Sequence, residues 1–599
     1  MSTNRKISML GVIALISLSL AGCGGGGAAS SSPSSPSPVA GGQPIPTSNP
    51  HPNGVWSTLP QSMPINPIHA ALLHTGKILI VSGSGNCPPE HAGCPQGPQY
   101  PQGAALLDLS SNSITTLPAN WDMFCNGMSI MQDGRVLING GTKGYGALAV
   151  VGTQGDTPFT GLANTSIFDP ASESFVDVAP TAHGRWYPTM TELNDGRMMT
   201  TSGLNDTNGA YNNTSEIWDG QQWSAEIPAN PSIPDFSGFQ FPLYPRMHLL
   251  PTGHVFYSAP SSSTLDFNPS SQIWTLVAWT IYPGQNDPNG ERTYGSSVLL
   301  PLTPQNNYSP KVMIMGGDNP GTDTTELIDL SPAGAQLSAA CPTYAPCWIQ
   351  GPKMAQKRVE SEATILPNGK VLVDGGSAQD EDATTASLQA EIYDPATNSF
   401  SSAGSNAFPR LYHNVQLLLP DGTVAITGGN PAQGVFENHI EIYQPSYLFN
   451  SDGSPATRPS IGAGAPTSIT YGQSFSVPTP DAANIASVVL MKAGSVTHSF
   501  DMDQRYVGLS FTAGATGSAS LIVTGPPDSN IAPPGYYMLF LVNKSGTPSV
   551  AAWVQVSGAA AAVAKVEMHP ERVPTPRYII QRKHVTESPL PLRKEMHMH

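Results

Sequence analysis

A short pattern recurs seven times between Thr75 and Gly429 and constrains the fold more than any other feature of this chain. Each copy is a tight turn followed by an apolar strand, and most of these strands end in small residues. The aligned turn positions are 53 to 62 residues apart, which leaves room for a four-stranded sheet and its loops in each copy: Gly76, Gly134, Gly196, Gly253, Pro310, Gly369 and Gly422. Repeats of this length are typical of stacked or radial arrays, whose units bury their apolar faces against one another.

The repeat predicts an all-β fold, a kelch-like β-propeller of seven blades over residues 51–452. Radial closure protects the edges of the sheets, and the glycines allow the inner strands to crowd near the axis. The chain contains 59 glycines and 59 prolines, and only 11% of its residues are charged. Such a composition favours many short strands joined by turns over helices.

The spacing of the pattern changes after the segment that begins at Tyr447. Residues 453–557 contain shorter strand patterns, such as the apolar run from Tyr536 to Val542. A stretch of this length with several short strands fits an immunoglobulin-like β-sandwich of about 100 residues. We therefore expect two β domains in sequence.

The N-terminus has the features of an export signal. Arg5 and Lys6 precede an apolar run from Ile7 to Leu20, which is too short for a membrane-spanning helix. The run ends in Leu-Ala-Gly-Cys, which resembles a bacterial lipobox and predicts that Cys23 is lipidated. Residues 1–23 are therefore interpreted as a lipoprotein signal peptide; the alternative is an ordinary cleaved signal in which the cysteine has no role.

The residues that follow this signal predict where the mature protein is located. Gly24 replaces the acidic residue that retains lipoproteins at the inner membrane, so an outer-membrane destination is favoured, with an extracellular location as the other option. Residues 24–50 are mostly glycine, serine and proline and read as a solvated linker. The lipid anchor is the only membrane contact that we expect.

The other end of the chain and its charge limit the possible partners. Residues 558–599 form a Pro-rich, basic tail for which we predict disorder and assign no role. The formal net charge of the whole chain is −16 at pH 7, which argues against a nucleic acid as partner. We expect a monomer that acts on small molecules.

Unusual side chains stand at similar places in several copies of the repeat. Cys125 and Tyr187 each lie eight residues before an Asp-Gly turn, and Tyr412 and His413 also precede one. Taken singly, a buried inert thiol and a packed tyrosine would explain the first two. Because unusual side chains occupy one structural position in several repeats, we instead predict that they form a shared site.

Four segments stand out: Asp122-Met123-Phe124-Cys125, Arg185-Trp186-Tyr187-Pro188-Thr189, Tyr412-His413 ahead of Leu417-Leu418-Leu419-Pro420-Asp421-Gly422, and Thr497-His498 ahead of Asp503-Gln504-Arg505. They resemble the copper radical oxidases, the family of galactose oxidase and, more closely, glyoxal oxidase. The resemblance runs from about Asn53 to Val556 and covers both domains of that family.

The resemblance implies one copper ion held by Tyr187, Tyr412, His413 and His498. It also implies a thioether between Cys125 and Tyr187, whose ring would carry a radical. Two imidazoles and two phenolates suit tetragonal Cu(II), whereas structural zinc prefers a closed tetrahedron with thiolates. Because Cu(II) accepts only one electron, the second oxidising equivalent of a two-electron oxidation would reside on the cross-linked tyrosine, a cofactor made from the protein itself.

The activity implied by the resemblance is oxidation of small aldehydes of the glyoxal type, or of primary alcohols that include those of glycans. Dioxygen would accept the electrons and leave as hydrogen peroxide. Tyr412 would take the proton of the substrate hydroxyl. Arg358 matches an arginine that binds sugar hydroxyls in galactose oxidase, so we predict it as a substrate-binding residue.

One departure from galactose oxidase bears on the substrate. That enzyme has a tryptophan stacked over the thioether, and the corresponding segment here, Gly203–Asn213, has none. This difference argues against a galactose-specific pocket and favours small aldehydes. It leaves open which aromatic residue shields the radical.

The remaining cysteines predict two disulfides. Cys87 with Cys94, and Cys341 with Cys347, would each close a short loop in a Pro-rich segment, as in an oxidising compartment. Metal binding is the alternative for these four, although no histidines lie nearby in a zinc-like arrangement.

Two other classes of function stay open at this point. A catalytically inactive kelch propeller would act as an anchored module that binds envelope glycans or proteins, because a fold does not determine function. A metal-dependent hydrolase is the weaker alternative, since the matched segments lack its carboxylate and its water-activating histidine.

Overall fold

The computed structural model describes residues 53–85, 100–145, 158–229, 239–282, 284, 291–432, 435–514 and 519–557. The predicted signal peptide with Cys23, the linker 24–50, the tail 558–599 and the predicted pair Cys87 and Cys94 lie outside these residues. The described residues all belong to one compact unit, 49–599. Their regular structure is β-strand, apart from four single turns of 3-10 helix, and none of their helices has the length and apolar character needed to cross a membrane.

The first strands follow the repeat of the sequence. They are β1 (Val55–Ser62), β2 (His69–Leu72), β3 (Ile78–Val81), β4 (Tyr100–Asp108), β5 (Ser113–Ala119), β6 (Gly127–Ile130), β7 (Val136–Asn139), β8 (Thr142–Gly144), β9 (Thr160–Gly161), β10 (Thr165–Asp169), β11 (Ser174–Val178), β12 (Thr189–Glu192), β13 (Met198–Thr201), β14 (Thr214–Trp218) and β15 (Ile227–Pro228).

The next strands continue in the same manner to the end of the repeats. They are β16 (Arg246–Leu249), β17 (Val255–Ala259), β18 (Ser263–Asn268), β19 (Ile273–Trp279), β20 (Ser296–Leu299), β21 (Lys311–Met315), β22 (Thr325–Asp329), β23 (Trp348–Gln350), β24 (Val359–Ile365), β25 (Val371–Ser377), β26 (Gln389–Asp394), β27 (Ser399–Ser405), β28 (Asn414–Leu418), β29 (Val424–Gly428) and β30 (His439–Gln444).

The C-terminal part has its own strands. They are β31 (Ser468–Ile469), β32 (Ser474–Pro478), β33 (Ile485–Lys492), β34 (Ser495–Thr497), β35 (Phe500–Asp501), β36 (Arg505–Leu509), β37 (Phe511–Ala513), β38 (Ser520–Thr524), β39 (Gly535–Asn543) and β40 (Ala552–Val556). The 3-10 turns are Pro304–Asn306, Ala383–Thr385, Ser446–Leu448 and Ala482–Asn484.

Seven antiparallel sheets account for β1 to β30 apart from the small pair β8 and β9. Their strand orders are β2-β3-β4-β5, β6-β7-β10-β11, β12-β13-β14-β15, β16-β17-β18-β19, β20-β21-β22-β23, β24-β25-β26-β27 and β28-β29-β30-β1. In each sheet the first strand precedes the repeated turn and the second strand is the apolar strand of the repeat. The all-β prediction is therefore confirmed, while radial closure into seven kelch blades stays a prediction.

The sheets meet through their first strands. Strand β2 contacts β6 and β28, and further contacts join β6 to β12, β12 to β16, β20 to β24 and β24 to β28, while the fourth and fifth sheets meet through their second strands, β17 and β21. Strand β1 completes the last sheet, because Val55 pairs with Gln444 on β30. The first strands are fully buried, as expected for strands that lie between neighbouring sheets.

The repeated turn needs glycine for a backbone reason. Gly134 has a φ of 84°, and its N–H donates to the carbonyl of Met131 at 2.9 Å. A positive φ of this kind costs glycine nothing and costs other residues free energy. Pro310 is the exception among the seven turns, and the preceding loop there is longer and contains the turn Pro304–Asn306.

The C-terminal domain has two sheets around a core of its own. The five-stranded sheet has the order β31-β40-β39-β33-β36, and the three-stranded sheet has the order β32-β38-β37. Val488, Leu539 and Val523 belong to the cluster of buried side chains in this domain. The hairpin β34-β35 leaves the domain and extends the first sheet, since β34 pairs antiparallel with β2.

A buried charge cluster joins the C-terminal domain to the N-terminal sheets. The Lys492 ammonium contacts the Glu192 carboxylate and lies 2.9 Å from Asp503. The same Asp503 carboxylate accepts hydrogen bonds from the Ser129 hydroxyl at 2.9 Å and the Ile130 N–H at 2.8 Å. The lysine therefore lies between two buried carboxyl groups, and burial raises the pKa of Glu192 to about 7.

Replacing Lys492 by methionine should destabilise the protein strongly, because two buried carboxylates would lose their counter-charge. Removal of one partner of a buried ion pair costs about 3 kcal/mol or more. We expect Lys492→Met to lower the urea midpoint of unfolding clearly. The control Lys311→Met removes an exposed partner of Asp329, and an equal shift in both variants would contradict the structural role of the cluster.

Candidate metal centre

One position of the repeat has the same unusual backbone in six sheets. The residue lies at the start of the first strand or just before it and has a left-handed φ: Cys125 (61°), Tyr187 (68°), Tyr244 (44°), Tyr294 (52°), Glu360 (68°) and His413 (67°). Five of the six lie nine residues before the turn glycine of their repeat; Tyr294 is the exception. Such backbone strain in residues other than glycine clusters at functional sites. We call these six residues the ring position.

His498 joins the ring position from the C-terminal domain. It lies in the turn between β34 and β35, also with a left-handed φ of 46°. The turn is held by three hydrogen bonds: the Thr497 hydroxyl donates to Ile68 O at 3.0 Å, the Ser499 N–H donates to a Glu362 carboxyl oxygen at 2.8 Å, and Arg246 donates to His498 O at 2.7 Å. Several sheets therefore fix this one loop.

The structure brings the predicted copper ligands together. The ring centroid of His498 lies 4.7 Å from those of His413 and Tyr187 and 5.1 Å from that of Tyr412. The hydroxyls of Tyr187 and Tyr412 are in direct contact. The Cys125 sulfur and one ring nitrogen each of His413 and His498 lie within 4.8 Å of one another. Two imidazoles, two phenols and a thiol thus converge from distant parts of the sequence.

The imidazoles have lone pairs to offer to a metal ion. Both ring nitrogens of His413 and Nε2 of His498 have no hydrogen-bond partner among the described residues. Nδ1 of His498 is hydrogen-bonded to the Thr497 hydroxyl at 2.6 Å, which leaves Nε2 as the atom that faces the other side chains. Buried polar atoms normally have partners, and a site for a metal ion is one reason for an exception.

Burial also sets the protonation of the site. It lowers the pKa of His413 to about 3 and, together with the nearby His413, lowers the pKa of His498 well below its usual value, so both imidazoles are neutral near pH 7. Burial raises the pKa of Tyr412 well above 10, so its phenol keeps its proton until a cation is present. A bound divalent cation reverses this preference and allows coordination as phenolate. The donor set fits the tetragonal nitrogen and oxygen field of Cu(II).

Cys125 and Tyr187 lie next to each other in the same buried cluster. The Tyr187 N–H donates to the carbonyl of Cys125 at 3.0 Å. Cys125 is not in a disulfide, and burial raises the pKa of its thiol well above the usual range. A buried thiol that disfavours ionisation is a poor metal ligand by itself. The predicted thioether to Tyr187 stays a prediction.

Aromatic rings enclose Tyr187. Its ring centroid lies 3.9 Å from that of Trp186, 4.5 Å from that of Tyr244 and 4.7 Å from that of His498. Trp186 in turn stacks on Phe159 at 4.4 Å. The sequence leaves open which aromatic residue shields Tyr187. In the structure, Trp186 and Tyr244 contact its ring.

The sequence analysis missed Tyr244, Tyr294 and Glu360. Tyr244 packs on His498 at 4.5 Å between ring centroids, and Tyr294 packs on Tyr412 at 5.3 Å. The signal for two of them was present, since Tyr244 and Glu360 have the same nine-residue spacing to the turn glycine as Cys125. The insertion before Pro310 hides that spacing for Tyr294.

Arg358 lies outside this group of candidate ligands. Its side chain is fully buried, and its terminal nitrogens donate to Gly375 O at 2.5 Å and to a Glu391 carboxylate oxygen at 3.1 Å. Equivalent buried pairs occur in three other sheets, and they are Arg185–Glu216, Arg292–Glu326 and Arg410–Glu441. A guanidinium committed to such a repeated contact does not support the predicted substrate-binding role.

The disulfide predicted between Cys341 and Cys347 is present, with a Cα–Cα distance of 5.7 Å. It closes a loop between β22 and β23, on the far side of its sheet from the first strand. It therefore stabilises the loop between β22 and β23 and makes no direct contribution to the site.

Comparisons with known proteins cover most of the chain. A family model described as "Glyoxal oxidase N-terminus" matches residues 69–447, and one described as "Galactose oxidase-like, Early set domain" matches residues 458–556. A galactose oxidase of Gibberella zeae is 27% identical over 83% of this chain and 69% of its own length. The aldehyde oxidase GLOX of Vitis pseudoreticulata is 28% identical over 84% of this chain and 97% of its own length.

A solved structure shares the fold. It is a novel fungal alcohol oxidase in complex with copper, with a TM-score of 0.68 and 24% sequence identity. The match covers 84% of this chain and 100% of the other.

Loss of one imidazole should weaken metal binding while the fold persists. We expect His498→Ala to weaken Cu(II) binding, measured by equilibrium dialysis, by about a hundredfold or more, since even outer partners of metal ligands are worth about 10- to 100-fold. His254→Ala is the matched control, because His254 pairs with Asp266 away from the site. Equal metal content in both variants would contradict the assignment of His498 as a ligand.

Proposed function

This chain belongs to the glyoxal oxidase family, and we propose that it is a copper radical oxidase that acts on small aldehydes of the glyoxal type or on primary alcohols. The products would be an acid or an aldehyde, with hydrogen peroxide formed from dioxygen. The observation that carries this proposal is the convergence of His413, His498, Tyr187 and Tyr412 beside the buried Cys125.

The names of the relatives agree with an oxidoreductase. One is a galactose oxidase and another an aldehyde oxidase, and both align with most of this chain. The overall reactions balance with dioxygen alone, since a primary alcohol and O2 give an aldehyde and H2O2, and a hydrated aldehyde and O2 give an acid and H2O2. No nicotinamide or flavin is required.

Tyr187, Tyr412, His413 and His498 would hold the copper ion. Copper supplies an acceptor for one electron of the oxidation when it is bound, and the thioether-linked Tyr187 would supply the second. The backbone of the ring position holds Tyr187 and His413, and the hydrogen-bonded turn between β34 and β35 holds His498, before any substrate arrives. Such preorganisation is worth several kcal/mol when two transfers must occur at one carbon.

Tyr412 would accept the proton of the substrate hydroxyl. Its ring lies between the rings of His413, at 3.8 Å, and Tyr294, at 5.3 Å, so its oxygen has a fixed direction. Burial raises the pKa of this phenol when no cation is present, and a bound cation would allow the phenolate form that accepts the proton. A general base positioned in this way contributes about 10²- to 10⁴-fold to the rate.

Trp186 and Tyr244 would protect the radical on Tyr187. Both are almost completely buried and lie against its ring, so they exclude water and other reductants from it. The Tyr244 hydroxyl donates to Asn126 O at 2.8 Å, which fixes this ring and ties it to the segment of Cys125. These two residues would do what a stacked tryptophan does in galactose oxidase.

The seven sheets would form the blades of a propeller with the copper centre near its axis. The contacts that join consecutive first strands support this arrangement, as does the completion of the last sheet by β1. In such a closed ring the starts of the first strands all point to one end of the axis. The ring position would lie at that end, so Cys125, Tyr187 and His413 from three different sheets would face one point.

The protein would act outside the cytoplasm. The lipobox-like segment that ends at Cys23 supports export with a lipid anchor at the outer membrane, or an extracellular location, and the disulfide of Cys341 agrees with an oxidising compartment. The relatives named above are fungal and plant proteins. The bacterial lipoprotein form is therefore proposed from the N-terminal sequence alone.

Mass spectrometry tests the cofactor. After exposure to Cu(II) and air, we expect the peptides that contain Cys125 and Tyr187 to appear as one linked species, lighter by two hydrogens than their sum. Cys125→Ser should abolish the linked species while the chain still folds. Unlinked peptides from copper-loaded wild type would instead favour an inactive binding module.

A peroxide-coupled assay tests the general base. We expect Tyr412→Phe to lower kcat/KM for small aldehydes by about a hundredfold or more, because the proton acceptor is lost. Tyr393→Phe is the matched control, since its buried hydroxyl donates only to Asn398 in another part of its sheet. A similar loss in both variants would remove Tyr412 from the mechanism.

A further inference from the structure

The small pair of strands β8 and β9, which stands outside the seven sheets, brings two aromatic side chains together. Gly144 on β8 pairs with Thr160 on β9. The next residues outwards along the two strands are Tyr145 and Phe159, so the pairing places them side by side. Their ring centroids lie 5.7 Å apart, and both side chains are half-buried.

Four aromatic rings form a continuous row from Tyr145 to Tyr187. Phe159 stacks on Trp186 with ring centroids 4.4 Å apart, and the ring of Trp186 lies 3.9 Å from that of Tyr187. Strand β9 lies directly against the backbone there, because a Cβ on Gly161 would be 2.4 Å from the Trp186 nitrogen. Each step of the row is therefore a contact between neighbouring rings.

The phenol of Tyr145 is hydrogen-bonded to a carboxylate. Its hydroxyl donates to Asp122 Oδ2 at 2.5 Å and also contacts the Ser84 hydroxyl. The other carboxylate oxygen, Oδ1, accepts from the N–H groups of Ser84 at 2.7 Å and Phe124 at 3.1 Å. These two donors favour the ionised carboxylate, and burial, which raises the pKa of Asp122, makes it a stronger base.

Such a pair has a specific chemical capacity. A phenol loses an electron far more readily when a base within hydrogen-bond reach takes its proton at the same time, and Asp122 is at that distance from Tyr145. The other three rings of the row end at the buried Tyr187, whereas Tyr145 is partly exposed to solvent. The row therefore joins a phenol at the surface to the phenol that would carry the radical.

A second row of rings is longer. The ring of Phe124 lies 6.3 Å from that of Tyr145 and 5.7 Å from that of His413. Because electron transfer slows steeply with distance, the steps of 4.4 and 3.9 Å through Phe159 and Trp186 are favoured over this route.

We propose that Tyr145 is a second redox-active tyrosine, through which a one-electron oxidant at the surface oxidises Tyr187 without entering the metal centre. The electron leaves the Tyr145 phenol for the oxidant, and the hydroxyl proton passes to Asp122. An electron from the Tyr187 phenolate then reaches Tyr145 through Trp186 and Phe159, and Asp122 returns the proton. The net change is the transfer of one electron from Tyr187 to the oxidant.

The proposal rests on the proposed function, because Tyr187 must be the easier of the two tyrosines to oxidise. A thioether sulfur donates electron density to its ring, and a bound cation keeps the phenol deprotonated. Tyr145 has neither feature, so the oxidising equivalent moves inwards and stays on Tyr187. The rings that exclude water from Tyr187 are thus the same rings that conduct the electron.

Stopped-flow absorption tests the relay. Copper-loaded protein with the Cys125–Tyr187 link but without the radical is mixed with hexachloroiridate(IV), an outer-sphere one-electron oxidant, and the absorption of the Tyr187 radical is followed. We expect Tyr145→Phe to slow radical formation by about tenfold or more, since a proton acceptor within reach is worth about 10²-fold and only a slower direct path remains. Phe159→Leu interrupts the row and should also slow it.

Tyr308→Phe is the matched control. Tyr308 is likewise half-buried, but its hydroxyl donates to Gly508 O at 3.2 Å in another part of the protein. Its rate of radical formation should equal that of wild type. Once the radical has formed, Tyr145→Phe should oxidise aldehydes at the wild-type rate, because the relay takes no part in the reaction with substrate.

The proton acceptor gives an independent readout. Asp122→Asn should slow radical formation in the wild-type background and have no further effect in Tyr145→Phe, because the two residues act as one unit. An equal slowing in both backgrounds would show that the substitution only disturbs the structure, and would remove Asp122 and the proposed proton transfer from the relay.

A metal-free variant tests Tyr145 without any oxidase activity. In Tyr187→Phe the relay has no final donor, so the radical should accumulate on Tyr145. EPR of samples frozen rapidly after mixing with hexachloroiridate(IV) should show a tyrosine radical, with splittings that change when the protein contains ring-deuterated tyrosine. The signal should be lost when Tyr145→Phe is added.

The outcomes separate the relay from the oxidase. Equal rates of radical formation in wild type, Tyr145→Phe and Phe159→Leu would overturn the relay and leave the oxidase intact, as would an EPR signal that persists without Tyr145. A matching loss of turnover in Tyr145→Phe would assign its effect to the structure of the site and overturn the relay. Absence of any Tyr187 radical in linked, copper-loaded wild type would overturn the proposed function, while the metal-free EPR measurement would still decide whether Tyr145 is redox-active.

Discussion

The pairing of β34 with β2 is the interaction on which the site depends. Through it, a hairpin of the C-terminal domain becomes part of the first N-terminal sheet, with Thr497 opposite His69 and Ser495 opposite Ala71. His498 follows directly in the turn. Without this pairing, Tyr187, Tyr412 and His413 would still converge, but the second imidazole of the candidate site would be missing. The buried cluster of Lys492, Glu192 and Asp503 also joins the C-terminal domain to the N-terminal sheets.

The repeat solves the problem of placing several side chains around one point. In six of the seven sheets one strained residue projects from equivalent backbone, so changing its identity changes the chemistry while the scaffold stays the same. In this chain the ring position holds a thiol, three phenols, an imidazole and a carboxyl. Burial keeps the imidazoles and Tyr412 neutral when no cation is bound. The site without metal therefore contains few buried charges.

The all-β architecture and five residues of the candidate site could be identified from the sequence because each is encoded locally. The turn glycines mark the strands, and Cys125, Tyr187, Tyr412, His413 and His498 stand in segments that resemble a known family. Arg358 shows the limit of local matching, because its guanidinium makes a buried contact with Glu391 on β26 that recurs in three other sheets, and this contact is visible only in the structure. Glu360 could not be identified from the sequence, because an acidic residue at the start of a strand belongs to no motif and only the structure shows its neighbours.

Strand β1 pairs with β30, so the first and last strands of the repeat region share one sheet. Almost 400 residues separate Val55 from its partner Gln444 in the chain. At the usual synthesis rate of about 5–20 residues per second, β1 waits on the order of 20 to 80 seconds on the ribosome before its partner strand exists. During that interval the nascent chain carries an unpaired edge, which chaperones must shelter from other chains.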